Sequence, residues 1–104
     1  MTLSTFHKEL LLSAFAEGAA NLDDISLDEL NNLHIIFRDR PEEVARFVFP
    51  DKEDRTETVM SLYLYASNKS YARKARLAGF IQDALRDEDE CERIYNSLPD
   101  YARW

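Results

Sequence analysis

Residues 54–98 read DRTETVMSLYLYASNKSYARKARLAGFIQDALRDEDECERIYNSL, and this stretch decides the fold. Thr56 or Asp54 as the cap, followed by apolar residues at helical spacing, predicts a long helix that reaches about Ala78. Gly79 is the residue type that most often closes a helix. Another helix is expected over about 81–97, where Pro99 stops it. The stretch therefore predicts an antiparallel helical hairpin.

The residues before the hairpin predict three further helices. Ser26 and Glu29 have the spacing of a capping box, in which each side chain satisfies an amide at the helix start. Pro41 suits a first helical turn, and Pro50 ends the helix that Pro41 begins. The expected helices are 4–20, with Ser4 as its cap, 27–38 and 41–49.

The composition favours one all-α domain over 1–104. The chain contains only two Gly and three Pro, which is unlike turn-rich β-sandwiches and barrels. Its hydrophobic fraction of 45% is enough to form a core, and 104 residues are too few for two independent cores. We expect a compact bundle of about five helices that ends in the antiparallel hairpin. Its parts are an acidic helical part (1–58), the hairpin (59–98) and a tail (99–104) that either docks or extends.

The net charge of −7 is unevenly distributed. Residues 1–58 hold 6 Lys and Arg against 13 Asp and Glu, whereas residues 59–104 hold 7 of each class. Negative charge of this kind attracts a basic partner and repels a nucleic-acid backbone. Simple solubility is the alternative explanation. The expected partner is a larger protein with a basic surface, and nucleic acid is disfavoured.

Acidic residues crowd the start of the second predicted helix. Capping and stabilisation of the helix dipole explain them without any ligand, and an anionic docking surface is the functional alternative. Two isoleucines on the flanks of the same helix would add apolar contact area. The candidate partner-binding residues are Asp23, Asp24, Asp28, Glu29, Ile35 and Ile36.

A stripe on the fourth helix gives the alternative hypothesis of a nucleic-acid-binding helical regulator. Tyr65, Lys69, Arg73 and Arg76 recur at spacings of 4, 4 and 3, so they share one face. An aromatic side chain among cations can stack on a base while the cations contact phosphates. Neutralisation by the acidic run 87–90 on the next helix is the competing interpretation.

Glu88 falls within the apolar stripe of the last helix. A buried carboxylate requires a partner, because an unpaired buried charge is too costly to retain. We therefore expect an ion pair between Glu88 and Arg73, with Arg76 or a tyrosine hydroxyl as the alternative partner. Replacing Glu88 by Gln should test this pair.

The sequence contains no recognisable catalytic, metal or cofactor motif. Cys91 lies on an apolar stripe, where a small buried side chain is the usual role. His7 and His34 are too far apart for a zinc helix motif, and two glycines cannot build a phosphate-binding loop. We therefore expect a protein that is not an enzyme and needs no cofactor and no metal.

Part of the hairpin resembles a tetratricopeptide unit. The stretch 71–99 has small residues on both helices and a glycine at the turn, but it lacks the Trp-Leu-Gly signature of that repeat. The resemblance implies a tightly packed helical hairpin and nothing further. The residues that carry it are Ala72, Ala75, Gly79, Ala84 and Cys91.

These observations favour a small acidic protein-interaction module. We expect an inhibitor or regulator, a bacterial or phage-type accessory protein, that covers a basic surface of a larger protein. The single Cys91, the absence of a leader-like start and the absence of an apolar run of about 20 residues favour the cytoplasm over a membrane.

Overall fold

A computed structural model of the chain describes residues 3–15, 22–23 and 25–104. Within these residues the chain forms five α-helices, a final 3₁₀ turn and no strand, which confirms the all-α prediction. No helix among them combines the length and the apolar character that crossing a membrane demands. The elements are α1 (Thr5–Ala14), α2 (Leu27–Asp39), α3 (Pro41–Val48), α4 (Arg55–Leu77), α5 (Ile81–Ser97) and the turn Asp100–Ala102.

The predicted capping signals define the starts of α1 and α2. The Ser4 hydroxyl accepts a hydrogen bond from the His7 amide at 3.2 Å. The Ser26 hydroxyl accepts from the Glu29 amide at 3.2 Å and donates to a Glu29 carboxylate oxygen at 3.0 Å. α1 ends at Ala14, before the predicted end at residue 20, and residues 16–21 lie outside the described part.

The turn between α4 and α5 depends on Gly79. Its φ of +84° lies in the left-handed region, which costs glycine little and other residues more. The Gly79 amide donates to the Arg76 carbonyl at 3.1 Å, and the Phe80 amide donates to the Ala75 carbonyl at 2.8 Å. This Schellman pattern satisfies the last carbonyls of α4. α4 and α5 pack closely along the hairpin, as predicted.

α4 is the helix that the others share. It packs against α2, α3 and α5, whereas α1 lies against α2. This arrangement puts apolar side chains of α2, α3 and α4 into one core with Leu11 of α1. The fully buried large side chains include Leu11, Leu22, Leu30, Leu33, Phe37, Val44, Val59 and Leu62.

The C-terminal tail docks on the bundle, which answers the question that the sequence left open. The Trp104 ring packs edge-on against Tyr65 and Tyr95, with ring centroids 4.9 and 5.0 Å apart. The Tyr101 hydroxyl donates to a carboxylate oxygen of Asp54 at 2.5 Å. The tail therefore contacts the residue that precedes α4 and the middle of α4 itself.

Candidate functional site

A shallow groove separates α1 from α2 on the acidic side of the molecule. Its volume is about 310 Å³. The apolar part consists of Phe6, which is 57% exposed, and Leu10, which is buried. Polar and acidic side chains form the remainder of the lining. We call this surface the α1–α2 groove, and its lining residues are Phe6, Glu9, Leu10, Ser13, Asp28, Glu29 and Asn32.

Helical spacing brings these side chains together. On α1, residues 6, 9, 10 and 13 follow one another at intervals of three or four, so they share one face. On α2, Asp28, Asn32 and Ile35 have the same relation. Ile35 is 42% exposed and lies one turn beyond the groove on this face. The two faces together give an acidic surface with apolar residues within it.

The groove is negatively charged because three carboxylates line it, and its lining within the described part of the chain contains no lysine or arginine. Glu29 is partly held by Ser26, whose hydroxyl donates to it at 3.0 Å. Glu9 and Asp28 are exposed, and no ion pair among the described residues includes either of them. Such a surface can accept a cationic side chain and pack an apolar one beside it.

The predicted partner-binding residues have different positions in the structure. Asp28 and Glu29 line the groove, and Ile35 lies on the same face. The expectation of an available Ile36 is wrong, because this side chain is 3% exposed and belongs to the core. α2 packs against both α3 and α4, so its apolar face is wider than a single stripe. Asp24 lies outside the described residues.

Asp23 lies away from the groove, in a cluster that joins α4 to the tail. One carboxylate oxygen accepts from the Tyr65 hydroxyl at 2.6 Å and lies 3.2 Å from the Lys69 ammonium. The other oxygen accepts from the Trp104 indole at 2.9 Å. Arg73 donates to the main-chain carbonyl of Asp23 at 2.5 Å and to that of Ile25 at 2.6 Å. We call this set the Asp23 cluster.

The Asp23 cluster shifts the titration of its members. Burial by itself would raise the pKa of Asp23, but hydrogen bonds from Tyr65 and Trp104 and the charge of Lys69 hold that pKa below its ordinary value. Burial, and then the hydrogen bond to Asp23, raises the pKa of Tyr65. Asp23 is therefore an ionised acceptor that fixes the segment before α2 to α4.

A cavity of about 350 Å³ lies beside the Asp23 cluster. Cys91 on its wall is buried, with its sulfur 3.6 Å from the Tyr65 carbonyl oxygen. Burial raises the pKa of Cys91 to about 12, so the thiol stays protonated near neutral pH. Lys69 and Asp23 also line this cavity, but they are already paired with each other. The wall is therefore a structural surface rather than a set of reactive groups.

All four residues of the predicted nucleic-acid stripe have partners within the chain. Tyr65 and Lys69 contact the Asp23 carboxylate, and Arg73 donates to main-chain carbonyls. Arg76 pairs with Glu88 on α5. The stripe attaches neighbouring segments to α4, and its cations are already engaged by acceptors of the same chain.

The predicted ion pair of Glu88 with Arg73 requires a correction. Glu88 pairs instead with Arg76, the alternative partner expected from the sequence, whose guanidinium donates to both carboxylate oxygens at 2.5 and 2.6 Å. The side chain of Glu88 is about 33% exposed, so the expectation of a buried pair is also wrong. Arg73 lies about one turn earlier on α4, and its guanidinium donates to main-chain carbonyls of the segment before α2. The hydrogen bonds from Arg76 lower the pKa of Glu88.

The sequence analysis did not identify Phe6 or Glu9. Apolar residues lie on much of the circumference of the first helix, a pattern typical of a helix packed on several sides, so Phe6 gives no sign of exposure in the sequence. Among the described residues α1 packs mainly against α2, and Phe6 is exposed. The polar pair Glu9 and Ser13, four residues apart, was the signal of an open face.

Another polar surface of the chain is a weaker candidate for a binding site. A crevice of about 520 Å³ between α3 and the start of α4 is lined by charges of both signs, among them Glu42, Arg46 and Lys52.

The pKa of His34 is lowered by burial and then by the charges of nearby Lys74 and Arg38. Within 3–15, 22–23 and 25–104, no group of three His, Cys, Asp or Glu side chains is placed to hold a metal ion.

Comparisons with known proteins give no relative for this chain. No protein-family model, no curated protein and no solved structure matches it. The function therefore has to be argued from the geometry of the groove.

Proposed function

We propose that this chain is a small protein-interaction module, which binds rather than catalyses, and that its α1–α2 groove takes a basic segment of a larger protein. The observation that carries the proposal is the lining of the groove. Three carboxylates line it together with the apolar Phe6 and Leu10, and the lining residues that the structure describes include no lysine or arginine. A partner that covers this surface gains electrostatic complementarity at the rim and apolar burial at the centre.

The chemistry of the groove defines the partner segment. A lysine or arginine would lie near Glu9 and Asp28, and an adjacent apolar side chain would pack on Phe6 and reach Ile35. An amphipathic helix with a basic edge has both features in one element. A protein that covers such a segment would act as an inhibitor or regulator of the larger protein, and the free thiol of Cys91 suits a reducing compartment such as the cytoplasm.

The nucleic-acid alternative lacks comparable support. Its cations Lys69, Arg73 and Arg76 already have acceptors within the chain, and Tyr65 is buried. A duplex or single strand would have to displace these contacts and approach a protein of net charge −7.

The proposal can be tested with a synthetic amphipathic helical peptide that carries lysines on one face and leucines on the other. Amide chemical-shift changes should concentrate on the groove, and the affinity should fall as salt rises. Glu9→Lys together with Asp28→Lys should weaken binding at least about tenfold, which corresponds to about 1.4 kcal/mol.

A matched control separates the groove from net charge. Asp51→Lys with Glu53→Lys changes the charge by the same amount at an exposed site outside the groove. This control should bind the peptide nearly as well as the wild-type protein. Equal losses in the two double variants, or shift changes centred elsewhere, would refute the groove. The same pair of variants, used as baits in the native cell, should then identify the partner as the protein that only the control retains.

A further inference from the structure

The tip of the α4–α5 hairpin is an exposed apolar surface. Every residue from 76 to 83 is exposed. Leu77 is 81% exposed and Phe80 is 62% exposed, and Ile81 and Leu85 on α5 are also exposed. We call these four residues the hairpin tip. Large apolar side chains rarely gather on the surface of a monomer without covering.

Helical spacing puts Leu77 on the same face of α4 as Val59 and Leu62. Val59 and Leu62 are fully buried and Leu77 is exposed, so this face of α4 is covered along the body of the bundle and open at its end. α5 begins at Ile81, and Ala84 is the buried residue of its first turn. The exposed side of the hairpin tip has no partner among the described residues.

We propose that the hairpin tip is the contact surface between two copies of this chain, related by a twofold axis. A twofold contact requires a surface that is complementary to itself. The α4 side of the tip carries the exposed cation Lys74 three residues before Leu77, and the α5 side carries the exposed acid Asp89 four residues after Leu85. In an antiparallel arrangement the Lys74 side of one copy faces the Asp89 side of the other.

The distribution of charge favours a second copy at this end of the molecule. Residues 59–104 hold 7 acidic and 7 basic side chains, so two hairpins can approach without net repulsion. The surplus acids lie in residues 1–58, and the α1–α2 groove takes no part in the tip. The dimer therefore presents two acidic grooves, which makes it bivalent toward a partner with two basic segments.

Sedimentation velocity and light scattering over a range of concentrations test the proposal. The wild-type protein should reach twice the chain mass of 12.1 kDa. Leu77→Asp with Phe80→Asp should reduce this to the single-chain mass while the helical circular dichroism stays unchanged. Leu12→Asp, at a residue of α1 that is 63% exposed, should leave the dimer intact. A single-chain mass for the wild type at every concentration, or a dimer that survives the tip variant, overturns the proposal.

Charge reversal tests the antiparallel arrangement. At low salt Lys74→Glu alone and Asp89→Lys alone should each weaken the dimer, because each homodimer then opposes like charges twice. An equal mixture of the two variants should restore it, since both contacts of the mixed dimer are attractive. A mixture as weak as its components contradicts the twofold arrangement. The groove variant with Glu9→Lys and Asp28→Lys should stay dimeric, so the tip and the groove can fail separately.

Discussion

The α1–α2 groove and the α4–α5 hairpin use similar charged residues in opposite ways. In the groove, Glu9 and Asp28 have no lysine or arginine beside them among the lining residues that the structure describes. In the hairpin, Arg76 pairs with Glu88 across the two helices, and Arg93 pairs with Glu90 within α5. These four charges of the hairpin are paired within the chain, whereas Glu9 and Asp28 have no ion pair among the described residues. This difference supports the groove as the proposed surface for a basic segment.

The ion pairs of the hairpin contribute little to its stability. The pair of Arg93 with Glu90 is exposed, and pairs of this kind are worth a small fraction of the total free energy of unfolding. The hairpin is held instead by Ala84, Cys91 and Ile94, which are buried against α4. Both regions of the molecule therefore depend on the buried face of α4.

The largest expected effect comes from the buried face of α4. Leu62 is fully buried, so Leu62→Ala should lower the free energy of unfolding by about 2–5 kcal/mol through lost burial and the cavity left behind. Leu64, two positions away, is 49% exposed, and Leu64→Ala should cost about 0.5 kcal/mol or less. Urea titration followed by circular dichroism measures both.

The same titration shows whether the two regions unfold together. Because they share α4, circular dichroism and Trp104 fluorescence should report one transition in the wild type and in both variants. Two separate midpoints would show that the hairpin and the acidic part are independent folding units.

The features that were predicted correctly have strong local signals. The starts of α1 and α2 follow from Ser4 and Ser26, and the turn at Gly79 follows from its left-handed backbone. Each of these depends on neighbours a few residues away, which the sequence places directly. The helix bounds after Ser26 accordingly agree with the prediction within two residues.

Choices between distant partners could not be predicted in the same way. Arg73 and Arg76 are both within reach of α5 by spacing, and only the position of the segment before α2 assigns Arg73 to main-chain carbonyls. Ile36 is buried because α3 and α4 both pack against α2, and Phe6 is exposed because α1 is peripheral. These outcomes depend on how helices are arranged in space, which spacing along one helix does not determine.

A smaller effect is expected where α4 contacts the segment before α2. Arg73 donates to the carbonyls of Asp23 and Ile25, so Arg73→Met should lower the free energy of unfolding by about 1.5–3 kcal/mol. Arg93 forms an exposed pair within one helix, and Arg93→Met should have no measurable effect. Urea titration of the two variants gives the comparison. If both variants lost the same free energy of unfolding, the effect would come from removing an arginine charge and not from the hydrogen bonds of Arg73 to the segment before α2.

The smallest effect concerns pH and Asp23. Its pKa in the folded state is held below the ordinary value of 3.8, so its contribution to stability is present above that value and is lost as pH falls through the folded-state pKa. The free energy of unfolding should therefore fall more steeply between about pH 5 and 2 in the wild type than in Asp23→Asn. Tyr65→Phe removes one donor and should give an intermediate slope.

Trp104 reports the same titration directly, and peptide binding tests whether Asp23 belongs to the binding surface or only to the Asp23 cluster. The indole donates to Asp23 and is the only tryptophan of the chain, so its emission should shift to longer wavelength as the carboxylate is protonated. Asp23→Asn should leave the affinity for the basic peptide nearly unchanged, because Asp23 does not line the groove. If this variant lost affinity while its pH slope matched the wild type, Asp23 would belong to the binding surface rather than to the junction. The binding surface would then extend from the α1–α2 groove to the Asp23 cluster beside α4.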